Sequence, residues 1–370
     1  MRLLRHGLRF ESGRTLRRTL TNSLVIAPQW IGDAVMTEPL MRRLHARGER
    51  ITVGALPWVA PVYRAMSSVA EVIEFPFAHG GLQFAARRRI AEDFRKRGST
   101  GKEPFDAAYV LPNSLKSALL PLFAGIPKRI GYMGEARVGF LTHRLKNPTN
   151  KPPMVAFYSA LSGEEHPKTG YQADIPKLML NDTEVEKTLV ELGLQRDKYV
   201  VFSPGAEFGS AKRWPVQHFV DLALKLVAEQ NMKVVLLGSG KEFELCESIT
   251  QPVNKTHPNK CFNFAGKTSL AGAFAAIAAA KYIVSNDSGL MHVAAALEVP
   301  QVAIFGSSSP LHTPPLSASA HVVWLKNDPN YLPPLDCAPC FARECHLGHT
   351  RCLQDISADQ VLKIMETKAE

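Results

Sequence analysis

Tyr282-Ile283-Val284-Ser285-Asn286-Asp287-Ser288-Gly289-Leu290-Met291-His292 runs from a short apolar segment, through polar residues and a glycine, into an alanine-rich segment that ends before Pro300. The apolar segment predicts a buried strand. Asn286, Asp287 and Ser288 are residue types favoured at helix N-termini, so a helix is expected to begin near Gly289. The stretch therefore predicts a strand, a tight turn and a helix, the repeating unit of an α/β fold.

The start of this helix is a candidate anion site. The backbone N–H groups of Ser288, Gly289 and Leu290 would point outward at the positive end of the helix dipole, where a phosphate or diphosphate binds favourably. Asp287 has the wrong charge for an anion and is expected to cap the helix or to hold a ribose hydroxyl. His292, one turn further on, could reach the same ligand. An ordinary capped helix is the alternative that this segment alone leaves open.

Outward from this stretch, short apolar runs alternate with helical segments in two series. The first series of predicted strands is Ser23–Ala27, Ile51–Ala55, Val72–Phe75, Ala107–Leu111 and Arg129–Tyr132; the second is Tyr199–Ser203, Lys233–Leu237, Tyr282–Val284 and Val302–Phe305. The predicted helices include Ala34–Arg47, Pro215–Glu229 and Ser269–Ala280. This alternation favours parallel sheets covered on both faces. We therefore expect two Rossmann-like domains that face each other across a cleft.

The length of 370 residues suits two domains. The predicted parts are a basic N-terminal extension (1–22), an N-terminal domain (23–175), a C-terminal domain (176–356) and a C-terminal helix (357–370). The extension lacks an apolar core followed by a small-residue cleavage site, so it is not a secretory signal. It is either a basic arm for an anionic surface or a disordered extension.

Composition limits the classes of partner and location. The formal net charge is +10, which suits phosphorylated substrates, anionic membranes or nucleic acid. No nucleic-acid motif or interleaved aromatic pattern is found, so nucleic acid is not expected. The longest apolar block, Ala271–Ala280, is too short to span a bilayer. Six cysteines in a chain of this length do not resemble a secreted disulfide scaffold, and a cytoplasmic location is predicted.

The loop Ser203–Pro215 connects a predicted strand to a predicted helix, at the sheet edge where α/β proteins bind ligands. Ser203 and Gly205 allow close approach of a ligand to the backbone. Lys212 and Arg213 add the positive charge that a leaving diphosphate needs if no metal supplies it. A solvated loop with a basic pair is the alternative. Gly238–Glu242 also follows a strand, but a lone Gly-x-Gly is a weak nucleotide signal.

Asp33 follows Gly32 after the first predicted strand. A carboxylate at this position can act as the general base that takes a proton from an attacking hydroxyl. The residues alone favour a simpler role, in which Asp33 caps the following helix.

These motifs resemble those of glycosyltransferase family 9, the ADP-heptose:lipopolysaccharide heptosyltransferases. The resemblance rests on Pro28-Gln29-Trp30-Ile31-Gly32-Asp33, on the 204–215 loop and on Asn286–His292, and it extends from about Ser23 to the last helix. It implies the GT-B architecture, with an acceptor domain followed by a donor domain. It also implies that L-glycero-D-manno-heptose passes with inversion from ADP-heptose to the first heptose of the lipopolysaccharide inner core.

The resemblance also implies residue roles. Asp33 becomes the catalytic base, and Lys212 the contact to the donor phosphates. An acidic residue near the second loop would hold the ribose; Glu242 is the first choice and Glu244 an equal alternative. The full predicted donor set is Ser203, Gly205, Lys212, Arg213, Glu242, Asn286, Asp287, Ser288, Gly289 and His292. Because the chain has no Asp-x-Asp pair, catalysis is expected to require no metal or other cofactor.

The acceptor implied by the family is heptosylated Kdo2-lipid A, met at the cytoplasmic surface of the inner membrane by a peripheral protein. Four basic residues are predicted to contact it: Arg87, Arg88, Lys128 and Arg129. They could form a rim for the phosphates of lipid A and the inner core. A solvated basic face is the alternative.

Four cysteines lie close together in sequence as Cys337-x2-Cys340-x4-Cys345-x6-Cys352. This density is typical of a metal site, although the spacing is not a standard zinc finger. Structural zinc, free thiols and disulfides remain open, and we expect the four side chains to share one pocket. Cys246 and Cys261 are expected in the core.

Two other functions compete with the implied one. A family-9 transferase could act at another position of the core. A non-catalytic nucleotide-sugar-binding protein could have the same fold. The role of Asp33 distinguishes the two classes, because an enzyme needs this carboxylate as its general base and a binding protein does not.

Overall fold

The computed structural model describes residues 21–77, 81–163 and 174–367. Apart from Thr21 and Asn22, the predicted basic extension lies outside these ranges. So do the loop through Gly170 and the last three residues of the predicted C-terminal helix.

The first sheet contains six parallel strands in the order β3-β2-β1-β4-β5-β6. The strands are β1 Thr21–Ile26, β2 Glu49–Ala55, β3 Glu71–Glu74, β4 Ala107–Val110, β5 Lys128–Tyr132 and β6 His143–Leu145. The central strands β1 and β4 are apolar and buried, because helices cover both faces of a parallel sheet.

The second sheet repeats this topology, with the parallel order β12-β11-β10-β7-β8-β9. Its strands are β7 Tyr199–Ser203, β8 Lys233–Leu236, β9 Cys261–Asn263, β10 Tyr282–Asn286, β11 Gln301–Ile304 and β12 Ala320–Val323. Numbered within each sheet, both orders are 3-2-1-4-5-6, the Rossmann order. The predicted fold class, two Rossmann-like domains in the GT-B architecture, is confirmed.

Helices connect the strands. They are α1 Ile31–Met36, α2 Glu38–Ala46, α3 Ala60–Arg64, α4 Phe84–Arg95, α5 Leu115–Phe123, α6 Met154–Ser159, α7 Asp182–Leu192, α8 Val216–Gln230, α9 Phe243–Thr256, α10 Leu270–Ala278, α11 Gly289–Ala296, α12 Arg351–Gln354 and α13 Ala358–Thr367. The single helix predicted over 34–47 is wrong, because Thr37 separates α1 from α2. Pro39 has no N–H to continue the hydrogen-bond ladder of α1, so the chain starts a new helix there.

The ligand-binding edges of the two sheets follow from this topology. In an open Rossmann sheet, ligands bind beyond the carboxyl ends of the strands, at the point where the strand order reverses. That point lies between β1 and β4 in the first sheet and between β7 and β10 in the second. The loops that follow β1, β7 and β10 carry Asp33 and most of the predicted donor residues, and Glu242 follows β8.

Helices α1 and α11 bring the two domains together. A Cβ atom on Gly289 would lie 2.8 Å from Cβ of Ile31, so the start of α11 rests directly on the start of α1. Val293 and Ala294 of α11 join the same apolar cluster as Leu24 of β1, so the hydrophobic core continues from one domain into the other.

Candidate functional site

The start of α11 lies at the carboxyl end of β10, as the sequence predicts, and Ser288 is its N-cap residue. The Ser288 hydroxyl is buried and has no hydrogen-bond partner among the described residues. The same is true of Ser307 and Ser308, which follow β11 at the same sheet edge. Buried hydroxyls normally have partners, so this edge has the donors and acceptors expected of a ligand site.

Asn286 is fully buried and points toward the loop after β7. Its amide oxygen accepts a hydrogen bond from Trp214 N at 2.9 Å, and its amide nitrogen donates to Pro204 O at 2.7 Å. One hydrogen bond on each polar atom of this side chain therefore serves the fold, and donor binding by Asn286 stays a prediction. Asn286 fastens both ends of the 204–214 loop to β10.

Lys212 and Asp287 form an ion pair, with Nζ 2.6 Å from Oδ2. The lysine side chain is 18% exposed and the carboxylate 6%. The alternative of a solvated loop does not hold for Lys212, because the short helical turn at 210–212 directs its side chain inward toward β10. Asp287 makes no cap bond to α11. The pair brings a cation to the start of α11, where the helix dipole is also positive.

The other predicted donor residues differ in their surroundings. Ser203 is buried at the end of β7, and Gly205 lies against the Glu242 carboxylate with no room for a Cβ. Glu242 also accepts hydrogen bonds from Ser239 N at 2.7 Å and Ser239 Oγ at 3.0 Å, which closes a capping box. Arg213 is exposed.

Asp33 lies in the first turn of α1, where Trp30 is the N-cap residue. The simpler expectation that Asp33 caps this helix is therefore wrong. Burial raises the pKa of the carboxyl to about 6, against an opposing hydrogen bond from Tyr158 and the charge of Lys212; the charge of Asp287 raises it further. A carboxylate with this pKa can accept a proton near neutral pH. Because the charges of Lys212 and Asp287 act on Asp33, this carboxyl and the start of α11 lie close together.

His292 lies at the same junction. The residue is 6% exposed, and burial lowers the pKa of its imidazole to about 4, so it is neutral at pH 7. A Cβ on Gly32 would be 2.7 Å from Cδ2 of this ring. The His292 ring, predicted to bind the donor, therefore packs between α11 and the backbone of α1 at Gly32.

A cavity of about 610 Å³ opens beside Asp33. Its charged or titratable lining residues are Asp33, Lys116, Lys151, Tyr158 and His312, and Trp30 forms part of its rim. Residues 147–154 form one wall of this cavity, and residues of the second domain contact this wall. His312 contacts Pro152 O through Nδ1 at 2.7 Å and accepts from Met154 N at 3.0 Å. Nζ of Lys151 lies 4.0 Å from the ring centroid of Phe341.

The comparisons with known proteins identify the family. The model of glycosyltransferase family 9 (heptosyltransferase) matches residues 95–350. The chain belongs to glycosyltransferase family 9. It is 43% identical over 312 residues to lipopolysaccharide heptosyltransferase 2 of Escherichia coli K12, with 82% of this chain and 87% of that protein covered. It is 38% identical to lipooligosaccharide heptosyltransferase 2 of Haemophilus influenzae, with 82% and 88% covered.

A solved structure gives the same result. The structure of E. coli ADP-heptose lps heptosyltransferase II superposes with a TM-score of 0.78 at 37% identity, and the match covers 94% of this chain and 98% of that one. The family resemblance drawn from the sequence is confirmed, including the likeness to member II of the family. As a family-9 protein the chain is a glycosyltransferase.

Within this family-9 site, the four basic residues predicted to contact the acceptor do not line the cavity beside Asp33. Arg87 is buried and donates to Leu82 O at 2.8 Å. Arg129 donates to Phe140 O at 2.7 Å and to Ile126 O at 2.6 Å. These two guanidinium groups serve the first domain's own loops.

The remaining two of the four, Arg88 and Lys128, are exposed, and Arg88 pairs with Glu92 at 3.3 Å. The prediction chose all four residues from their charge alone. The sequence does not reveal that the side chains of Arg87 and Arg129 turn back to bond the backbone.

The cysteine-rich loop packs against the donor loop and the cavity wall. Phe341 N donates to Ser307 O at 2.7 Å, and Ala211 N donates to Arg343 O at 3.0 Å. The thiols of Cys337, Cys340, Cys345 and Cys352 are free and partly exposed. Burial and the charges of the other three thiols raise the pKa of Cys352 to about 11.

In the described part of the chain, no three His, Cys, Asp or Glu side chains converge in a way that could hold a metal ion. Zinc binding therefore stays a prediction. Cys246 and Cys261 are buried, as predicted.

Three groups at the site were missed from the sequence. Tyr158 donates a hydrogen bond to Asp33, Ser307 and Ser308 lie at the donor edge, and Lys116 and Lys151 line the cavity. A tyrosine in an apolar helix and serines after a strand have no sequence signal of their own. The lysine beside Pro152 lies in a polar connecting stretch, which was interpreted only as a linker.

Proposed function

We propose that this family-9 enzyme transfers L-glycero-D-manno-heptose from ADP-heptose to the first heptose of the lipopolysaccharide inner core, with inversion at the anomeric carbon. Similarity to heptosyltransferase 2 proteins over most of the chain supports this specificity. The position of Asp33 carries the proposal. Its carboxyl lines the large cavity on one side and lies within the electrostatic reach of Lys212 and Asp287 on the other.

The chemistry follows from this arrangement. The donor diphosphate would lie at the start of α11, where outward N–H groups, the helix dipole and Lys212 favour negative charge. The acceptor hydroxyl attacks the anomeric carbon from the cavity side, and Asp33 takes its proton as the new bond forms. ADP leaves with the bonding electrons, and Lys212 with the helix start stabilises the growing charge without a metal ion.

The acceptor would occupy the cavity beside Asp33. Among the described residues, Lys116 and Lys151 are the lysines that line it, and Asp33 is the one lining carboxylate, so the cavity suits an anionic sugar. Phosphate and carboxylate groups of heptosylated Kdo2-lipid A have this chemistry. This assignment replaces the predicted contacts at Arg87 and Arg129.

A lipid-linked acceptor requires that the enzyme work at a membrane surface. No helix in the described ranges is both long and apolar enough to cross a bilayer. Leu82 and Phe84 are 54% and 50% exposed, and they precede the exposed Arg88 and Arg89 on α4. Apolar side chains beside arginines suit peripheral binding to anionic lipid. We place this surface at the cytoplasmic face of the inner membrane.

ADP release from ADP-heptose tests the proposal. It should be measured with lipopolysaccharide truncated after the first heptose, with lipopolysaccharide that lacks heptose, and without acceptor. Rapid release only with the first acceptor is expected. Equal release with the heptose-free acceptor would favour another core position, and tight ADP-heptose binding without release in any arm would favour a non-catalytic binding protein.

A further inference from the structure

Tyr158 contacts the proposed base from a different part of the chain. Its hydroxyl donates a hydrogen bond to Oδ1 of Asp33 at 3.2 Å, across 125 positions of sequence. The tyrosine lies on α6 and is only 5% exposed, yet it also lines the cavity beside Asp33. Burial removes both groups from water, and the hydrogen bond between them offsets part of that cost.

Aromatic packing fixes the direction of this hydroxyl. The Tyr158 ring packs edge-on against Phe157, with centroids 5.5 Å apart. Phe157 stacks on Tyr132 at 3.9 Å, and the Tyr132 hydroxyl donates to Phe157 O at 2.6 Å. The ring therefore has little freedom to turn away from Asp33.

We propose that Tyr158 is a positioning residue for the transfer reaction: it keeps Asp33 ionised and directs its second carboxylate oxygen toward the acceptor hydroxyl. This inference rests on the proposed function of Asp33. A donated hydrogen bond favours the charged form of a carboxyl group. Because Oδ1 already accepts the Tyr158 hydrogen bond, Oδ2 is the more available oxygen for the proton of the acceptor.

The groups around Asp33 determine the direction in which its pKa changes when the Tyr158 hydroxyl is removed. Burial raises its pKa, the Tyr158 hydrogen bond and Lys212 lower it, and Asp287 raises it. Tyr63 is buried nearby with a raised pKa, and His292 has a lowered pKa, so both are neutral at pH 7. Removing the Tyr158 hydroxyl therefore raises the pKa of Asp33 above about 6.

The test is the pH profile of kcat for heptosyl transfer in Tyr158→Phe. A hydrogen bond to a charged group is worth about 1.5–3 kcal/mol, so the acidic limb should move up by roughly one to two pH units. Activity should fall at pH 7 and recover as the pH rises, while ADP affinity stays unchanged. Tyr132→Phe is the matched control, because its hydroxyl bonds a backbone carbonyl; its acidic limb should stay in place.

A well-folded Tyr158→Phe with the wild-type acidic limb would overturn the proposal. If that variant is too unstable to assay, Asp33→Asn should restore its stability, because no buried carboxylate then lacks its donor. Failure to restore it would also overturn the proposal. The proposed function fails separately, if the wild-type protein transfers no heptose.

Discussion

Gly32 lies so close to His292 that a Cβ atom on residue 32 would be 2.7 Å from Cδ2 of the imidazole ring. The two residues belong to different domains, one to α1 beside the proposed base and the other to α11 beside the proposed donor site. Since the ring is buried, it has little room to move away. The glycine therefore sets the distance between base and donor edge.

Gly32→Ala should slow transfer by roughly 10²-fold, because a misplacement of about 1 Å in an active site has effects of that size. Overpacking should also lower the free energy of unfolding by about 1–3 kcal/mol. Steady-state kinetics and thermal denaturation measure the two effects. Gly272→Ala in α10 is the control, since the nearest atom to a Cβ there is 3.4 Å away. A variant at position 32 as active and as stable as this control would contradict the spacing role.

Asp33→Asn should bind ADP-heptose with near-native affinity and lose 10²-fold or more in kcat, because the amide cannot take a proton. Trp30, not Asp33, is the N-cap residue of α1. A capping role would in any case predict no such loss, because Asn caps a helix as well as Asp does. Calorimetric ADP binding and single-turnover transfer are the measurements. Turnover within a few-fold of wild type would move the base elsewhere in the first domain.

The same substitution should change the pH dependence of stability. The folded-state pKa of Asp33 is raised from 3.8 to about 6, so its contribution to stability is present below pH 3.8 and is lost as the pH rises through about 6. An asparagine at this position does not ionise, so the free energy of unfolding does not fall in this way. Relative to wild type, Asp33→Asn should therefore gain up to about 3 kcal/mol between pH 4 and pH 7. Urea unfolding at the two pH values measures this, and a constant difference would show that burial does not perturb the carboxyl.

Lys212→Ala should lose both stability and rate. It leaves the Asp287 carboxylate, 6% exposed, without its cation, at an expected loss of about 3 kcal/mol. Loss of the charge facing the diphosphate should lower kcat by roughly 10²–10³-fold. The double variant Lys212→Ala/Asp287→Asn should recover stability but not rate.

Lys241→Ala removes only an exposed pair with Glu207 and serves as the control. If Lys212→Ala keeps wild-type turnover, its ion pair is structural alone.

The cysteines should react with a thiol reagent in a definite order. Burial opposes ionisation of Cys345, but hydrogen bonds from the backbone at 347–350 outweigh it and lower its pKa, so this thiol should react first at pH 7. Burial raises the pKa of Cys246 and of Cys261 to about 12, so both should react only after unfolding. Loss of the fast phase in Cys345→Ser checks the assignment. Bound zinc would suppress that phase until a chelator is added, which tests the zinc prediction.

The strands with apolar runs could be predicted to within two residues at either end, because burial on both faces leaves a clear signal in sequence. The strands that were missed are β6, β9 and β12, which lie toward the sheet edges and have three or four residues each. His143-Arg144-Leu145 has no apolar run to detect.

The site residues also fall into those that could be predicted from sequence and those that could not. Loops that follow a strand within one domain could be placed from sequence, since parallel strands all end at one sheet edge. Contacts between distant segments could not. The ion pair of Lys212 with Asp287, the bond from Tyr158 to Asp33 and the contact of Phe341 with Lys151 depend on packing geometry, and no local residue pattern encodes it.

The wall at 147–154 has a consequence for the order of folding during synthesis. The first sheet is complete once Leu145 has been made, but this wall takes its partners His312 and Phe341 from the other end of the chain. Domains fold largely in the order in which the ribosome makes them, so the first domain should fold while its cavity still lacks one supported side. The proposed acceptor cavity would then be the last part of the enzyme to take shape, and a nascent chain would not be expected to bind acceptor before the second domain is in place.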